Sequence, residues 1–195
     1  MHELITAFKE HVKEISNDPQ FVHHEWFVKY HLEIVERIAF ELCDRYPEID
    51  RGFIELLVWL HDYGKIVDFE HQYEATLTEG KKKLLEIGFA TDFVEKAISY
   101  IQTLDKKEGL ENAPLEIQIV SSADGASHLI GPFYTIHWKE RHDLTTEALI
   151  KTNKEKALID WEKKIVLSEV KEAFHKRHEF FLEQRGDFSE KFLKN

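Results

Sequence analysis

The amino-acid sequence predicts an all-α fold, a single helical bundle, from three observations. Glycine and proline are scarce, at eight and four of 195 residues, which favours long helices over a turn-rich all-β fold. Apolar residues recur at intervals of three and four through most of the chain, as they do on the buried face of an amphipathic helix. The length suits one compact domain with a sizeable core, so we expect a single domain over 1–195.

The first third of the chain predicts three helices. Apolar residues at helical spacing indicate an opening helix over 2–15, followed by a break at the sequence SNDPQ. A second helix is expected over about 22–45, because the residue before Pro47 avoids helical geometry. A third helix over about 50–62 should stop at Gly64, since glycine commonly terminates helices.

Helical patterns continue through the rest of the chain. After Gly64 we expect a loop over 65–72, helices over about 73–87 and 91–104, a surface linker over 105–114 that opens with Asp105, a buried segment over 115–130, an aromatic-rich connection over 131–138, and one or two amphipathic helices over 145–183. The buried segment is compatible with a strand, but helix is favoured because Leu115, Ile119 and Ala123 lie four residues apart.

Composition excludes several classes of function. The net charge of −11 disfavours a protein that wraps nucleic acid, because such proteins present dense Lys and Arg. No apolar run is long enough to span a membrane, and the N-terminus lacks the continuous apolar stretch of a signal peptide. A single cysteine, Cys43, fits a reducing cytoplasm. A small phosphorylated partner stays compatible with the charge, as does a homodimer.

Residues 60–66 read LHDYGKI, which puts His61 and Asp62 at the end of an apolar helix. Adjacent helical residues point about 100° apart, so this pair can share one ligand only where the helix ends beside a cleft. A buried hydrogen-bonded pair is the plainer alternative. A second doublet, His142-Asp143, has no apolar helix before it, and Asp143 there is better interpreted as a turn or cap residue.

Two further residues could meet the first doublet. His31 falls on the apolar stripe of the second predicted helix, and Asp124 follows a buried-looking run. Two His and two Asp from three segments form a mixed nitrogen and carboxylate set. Such a set suits one divalent metal ion, Mn, Fe, Co, Ni or Zn, and tolerates Mg less readily. Four protein ligands would leave an octahedral ion two positions for water and a phosphate oxygen.

The order His31, His61-Asp62, Asp124 resembles the H…HD…D signature of the HD-domain metal-dependent phosphohydrolases. HDYGK is similar to their HD-x-G-K, HLEIVERIA to the helix of their first histidine, and the likeness covers about 20–130. The tail EKKIVLSEVKEAFHKRHEFFLEQ is similar to the C-terminal helix of small bacterial HD hydrolases, and the helices over about 145–185 are expected to pack on the core. The resemblance implies an all-helical hydrolase in which these four residues hold the metal, and a metal-activated water cleaves a phosphate ester, a nucleotide among the candidates.

The residues around the expected metal are candidates for further roles. Asp62 would orient the attacking water, and Lys65 would meet the charge of the substrate or of the leaving group. His71 and His128 are candidate substrate-binding residues, the latter because it lies one helical turn beyond Asp124. Members with two metals carry more histidines between the doublet and the last aspartate, where this chain has only His71, so one metal is expected. That thinned set also motivates the alternative, a regulatory module that binds a nucleotide without hydrolysing it.

Overall fold

The computed structural model describes residues 1–187 and residue 190, and every regular element in these residues is helical. The α-helices are α1 (His2–Ser16), α2 (Glu33–Cys43), α3 (Arg51–Leu60), α4 (Tyr63–Val67), α5 (Gln72–Ala75), α6 (Lys81–Ile87), α7 (Thr91–Lys106), α8 (Leu115–Ser127), α9 (Phe133–Glu140), α10 (Thr146–Ile159) and α11 (Ser168–Glu183). Short π-helical stretches cover Val28–Leu32, Thr76–Gly80 and Asp160–Lys164, and a 3₁₀ turn covers Leu110–Asn112. The all-α prediction is confirmed, and the arrangement is compatible with a single bundle.

Helices α2, α3 and α8 form the centre of the bundle. Both α3 and α8 pack against α2, and they also contact each other. The side chains of α3 are buried almost without interruption, and Leu56 and Leu57 are fully enclosed. Ile119 and Ala123 of α8 are equally buried, which confirms that 115–130 begins as a helix. Each enclosed Leu or Ile contributes about 1.5–3 kcal/mol by leaving water, so this central layer holds the functional side chains in place.

The helix starts follow local polar signals. Asp50 caps α3, because its carboxylate accepts hydrogen bonds from the backbone N–H groups of Gly52 and Phe53. The predicted helix over 22–45 begins only at Val28, although it ends before Pro47 as expected. The preceding residues form consecutive turns, in which the His24 backbone N–H donates to the carbonyl of Phe21. These turns consume the backbone donors that an earlier helix start would need.

Gly64 does not stop a helix; it lies inside α4 and permits close packing. A Cβ at Gly64 would overlap the carbonyl oxygen of Gln72, so only glycine fits where α4 meets α5. The Gly64 N–H donates to Thr76 Oγ1 at 2.8 Å, which ties the two segments together. The segment expected as a loop over 65–72 is partly helical, because α4 runs on to Val67 and α5 begins at Gln72. Gly64 is needed for the contact of α4 with Gln72 and does not end a helix.

The aromatic-rich connection expected over 131–138 is instead helix α9. The Phe133 ring packs against Trp26 at 5.6 Å and against His128 at 4.1 Å between ring centroids. Tyr134 packs against Phe181 of α11 at 4.2 Å. These contacts come from distant parts of the chain, so periodicity within the segment does not predict them.

Two of the π-helical stretches carry residues of the candidate site. His31 lies in Val28–Leu32, immediately before α2, and Asp160–Lys164 follows α10 directly. A π-helical turn widens the helix locally and occurs most often at functional sites. Within the described ranges, no helix is both long enough and apolar enough to cross a membrane.

Candidate metal centre

A partly open cavity of about 170 Å³ is lined by the end of α3, by α8 and by the π-helical stretches Val28–Leu32 and Asp160–Lys164. Its floor includes all four residues that the sequence predicts as metal ligands: His31, His61, Asp62 and Asp124. The floor is enclosed, since the side chains of these four residues are only 2–14% exposed. The predicted set is thus assembled in one place, from three separate segments of the chain.

The ligand atoms of the four residues converge. His31 Nε2 lies 3.2 Å from Asp62 Oδ2 and 3.8 Å from Asp124 Oδ1. His61 Nε2 lies 3.5 Å from Asp62 Oδ2 and 3.9 Å from Asp124 Oδ1. The ligand atoms that lie within 4.8 Å of one another form two overlapping groups, His31 with His61 and Asp62, and His31 with Asp124 and His128. Spacings of this size suit ligands that share an ion at metal–ligand distances near 2.0–2.2 Å.

A hydrogen bond on the far side of the His61 ring directs the lone pair of its Nε2 atom into the cavity, whereas Nε2 of His31 lies within hydrogen-bond distance of Asp62 Oδ2. His61 Nδ1 lies 2.6 Å from the Val58 carbonyl, which only accepts, so Nδ1 carries the proton. His61 Nε2 is buried and finds no hydrogen-bond partner among the described residues. His31 Nδ1 lies 3.3 Å from Ser127 Oγ, whose own hydrogen goes to the Asp124 carbonyl. A buried, unpartnered imidazole nitrogen facing two carboxylates fits a metal-binding role.

Both carboxylates are held ionised by lysines. Burial by itself would raise the pKa of Asp62, but the charge of Lys65 overcomes it and keeps this pKa well below its usual range. Lys65 Nζ lies 2.6 Å from Asp62 Oδ2. Burial would likewise raise the pKa of Asp124, and the charge of Lys164 holds it far lower. The pKa of His31 is lowered, chiefly by burial, so its imidazole is neutral and available as a ligand.

Lys164 and Asp160 are site residues that the sequence analysis did not single out. Lys164 forms an ion pair with Asp124 Oδ2, although the two residues are 40 positions apart in the sequence. The Lys164 side chain is only 13% exposed. Burial acts to lower the pKa of Lys164, yet Asp124 and Asp160 together raise it. Asp160 also lies 2.8 Å from His128 Nδ1 and 3.0 Å from Lys156 Nζ. The one signal in the sequence is spacing: Lys156, Asp160 and Lys164 lie four residues apart on one helical face.

The remaining predicted site residues divide into two groups. Lys65 and His128 line the cavity, next to the predicted ligands. His71 does not line it: its side chain is 67% exposed, and its Nδ1 lies 3.1 Å from Asp68. The structure therefore does not bring His71 to the site, because α4 and the turn after it carry the side chain outward.

Asp105 is the opposite case, a predicted linker residue that lies in the cavity wall. It belongs to the last turn of α7 and is half-buried. Burial raises its pKa to about 6, and the nearby charge of Asp62 adds to the effect.

Comparison of the chain with protein-family models, with curated proteins and with solved structures finds no match.

Proposed function

We propose that this protein is a metal-dependent phosphohydrolase of the HD-domain type, which cleaves a phosphate ester in the cavity at the end of α3. The observation that supports this most directly is the position of two imidazole Nε2 atoms 3.2–3.9 Å from two ionised carboxylates on one enclosed cavity floor. Imidazole with carboxylate suits Mn, Fe, Co, Ni or Zn better than Mg. The residues thus fit one divalent metal held by His31, His61, Asp62 and Asp124.

The charges around the cavity favour an anionic substrate. Among the described residues, Lys65, Lys107, Lys156 and Lys164 line it, against the aspartates 62, 105 and 124. Asp160, which pairs with Lys156 and Lys164, brings the aspartates to four, so they balance the four lysines. A bound divalent metal would then supply two positive charges in excess. A phosphate monoester is mostly a dianion at neutral pH and complements this excess of positive charge. A phosphate ester therefore fits the charge of this cavity better than a neutral ester or a peptide does.

The residues of the chain would divide the work of the reaction. When bound, a divalent metal lowers the pKa of water and polarises a phosphoryl oxygen. Asp62, held ionised beside Lys65, accepts a hydrogen bond and so orients the attacking water toward phosphorus. Lys65 and Lys164 flank this carboxylate pair and would donate to the phosphoryl oxygens, where negative charge is concentrated.

Part of the cavity lining is apolar and would receive the organic part of the ester. The rings of Trp26, Phe27 and Phe133 line it together with Leu104. Trp26 is fixed by a hydrogen bond from its indole N–H to Glu140. Flat aromatic walls bind flat ligands well, and stacking contributes about 1 kcal/mol beyond burial. Nucleoside monophosphates are therefore the first substrates to test. We propose a reducing cytoplasm as the location of the enzyme.

The Asp62→Ala variant tests this proposal. Elemental analysis and a panel of phosphate monoesters and nucleotides with added Mn, Co, Ni or Mg should show stoichiometric metal and turnover in the wild type. Asp62→Ala should lose both while it keeps its helical circular dichroism. Asp143→Ala, in the second His-Asp doublet, is the matched control and should behave as the wild type does, since Asp143 is exposed and paired with Arg141.

Other outcomes would identify other functions. Full turnover in Asp62→Ala would exclude the assigned ligand set. Saturable nucleotide binding with no turnover on the panel would favour the regulatory module instead. Wild-type protein that retains no stoichiometric metal would leave only a structural helical bundle.

A further inference from the structure

His128 is a buried histidine that lies beside the four predicted metal ligands but is not one of them. It caps the C-terminal end of α8, one turn beyond Asp124, and is 5% exposed. Its ring lies parallel to that of His31, at 5.3 Å between centroids and an angle of 8°. On its other side it packs against Phe133 at 4.1 Å. The ring is thereby held in one orientation beside the predicted metal ligands.

Asp160 determines which nitrogen of this ring carries the proton. His128 Nδ1 lies 2.8 Å from Asp160 Oδ2, and a carboxylate at this distance accepts the Nδ1–H. Asp160 is kept ionised by Lys156 at 3.0 Å and lies 3.9 Å from Lys164. In the neutral ring, the Nε2 atom then has a free lone pair. That atom points toward Asp124 and lies 3.5 Å from its Oδ1, beyond a good hydrogen bond.

The same pattern occurs at all three histidines of the cavity floor. In each, Nδ1 faces an acceptor: the Val58 carbonyl for His61, Ser127 Oγ for His31 and the Asp160 carboxylate for His128. This arrangement, in which an outer partner fixes the tautomer, is how metal-binding histidines are usually oriented. Two overlapping groups of ligand atoms result, His31 with His61 and Asp62, and His31 with Asp124 and His128. His31 belongs to both groups, and its Nε2 is the nitrogen that faces Asp62 and Asp124. One nitrogen binds only one ion.

We propose that His128 Nε2 is a fifth protein ligand of the metal on which the proposed function rests, and that Asp160 is its positioning residue. Three imidazoles and two carboxylates leave a six-coordinate ion one free position, where the sequence alone predicts two. That single position suits the attacking water, so a five-ligand metal would activate the water but would not also bind the phosphoryl oxygen for which the four-ligand site leaves room. The phosphoryl oxygens would then be held mainly by Lys65 and Lys164, which makes these lysines the main determinants of phosphate affinity.

Proton NMR of the intact protein loaded with Co²⁺ tests this directly. A histidine bound through Nε2 shows a strongly shifted Nδ1–H signal that disappears in D₂O, so the signals count the bound histidines. The wild type should show three such signals, and His128→Ala should show two, with Co²⁺ affinity at least tenfold weaker. His137→Ala is the matched control: it lines the same cavity away from the ligands, and should keep three signals and the wild-type affinity.

Variants of Asp160 separate positioning from simple structural support. Asp160→Ala removes the acceptor and should weaken Co²⁺ binding by about 10–100-fold. Asp160→Asn keeps an oxygen that accepts from Nδ1–H, so it should recover most of that affinity and retain three signals. Equal affinity in Asp160→Ala and the wild type would overturn the positioning role, whatever the change in thermal stability.

The outcomes distinguish this inference from the proposed function. Two shifted signals in a wild type that still hydrolyses a phosphate ester would overturn ligation by His128 and leave the enzyme assignment intact. Three signals without turnover on the panel would support the five-ligand site and contradict hydrolysis. A wild type that binds no Co²⁺ would overturn both.

Discussion

Asp62 and Asp124 face the same cavity, and each is neutralised by one lysine, but the two pairs are built differently. The Asp62–Lys65 pair is local, three residues apart, and the Lys65 side chain is 31% exposed. The Asp124–Lys164 pair joins α8 to a π-helical stretch 40 residues later, and the Lys164 side chain is only 13% exposed. An exposed lysine can turn to water when its partner is lost, whereas a buried one cannot. The two pairs should therefore differ sharply in how much stability depends on them.

The largest effect should appear on deleting each carboxylate in the absence of metal. Asp124→Ala leaves the Lys164 charge buried, with only Asp160 at 3.9 Å, and should lower the free energy of unfolding by about 3 kcal/mol. Asp62→Ala leaves Lys65 free to reach solvent and should cost about 1 kcal/mol. Urea denaturation in EDTA, analysed by linear extrapolation, measures both.

A double variant provides the control for that prediction. The double variant Asp124→Ala/Lys164→Met also removes the lysine that has lost its partner. It should recover part of the lost free energy of unfolding, because the unpaired buried charge is gone. Equal losses in the two single variants would contradict the distinction between a buried pair and a half-exposed pair.

The next largest effect should separate metal affinity from substrate affinity. Lys164→Met removes a buried positive charge beside Asp124, so Co²⁺ affinity should rise by about tenfold while KM for the phosphate ester also rises by about tenfold. Lys65→Met should change both constants in the same directions, by only about two- to threefold, since solvent screens its charge. Calorimetric titration and steady-state kinetics measure these changes.

Lys164→Arg keeps the charge and serves as the matched control, with metal affinity close to that of the wild type. If Lys164→Met lowered metal affinity instead, the lysine would be supporting the ligand geometry and not competing for the charge of Asp124.

This contrast also explains what the sequence could predict. The local features were accessible: His61-Asp62 at a helix end, Lys65 three residues on, and Asp124 with His128 on one face. They follow from helical spacing within a single segment. The all-α fold was accessible for the same reason, because its signal is periodicity.

The buried half of the site depends on tertiary packing, which one segment does not encode. Lys164 reaches Asp124 only because the chain widens into a π-helical turn over Asp160–Lys164 and passes close to Gly125. A Cβ at Gly125 would lie 2.9 Å from a carbon of Ile165, so the glycine permits that approach. The error at His71 has the same origin, since the direction of its side chain is set by how α4 packs against α5.

The smallest effect should come from Asp105, which lines the cavity and is acted on by the charge of Asp62. Burial raises its folded-state pKa to about 6, whereas an unfolded Asp titrates near 3.9. The ionised form is therefore disfavoured in the folded protein. The resulting loss of stability is absent below about pH 4 and fully present above about pH 6. Asp105→Asn removes it and should raise the free energy of unfolding at pH 8 by about 1 kcal/mol, a value reduced because the side chain is only half-buried.

Urea denaturation of the metal-free protein from pH 4 to pH 8 measures this effect, with the exposed Glu108→Gln as a neighbouring control for loss of one negative charge. The advantage of Asp105→Asn should grow with pH and should shrink in an Asp62→Ala background, where one of the charges that disfavours ionisation is gone. An advantage that stayed constant with pH would mean that Asp105 destabilises the fold through packing and not through its charge.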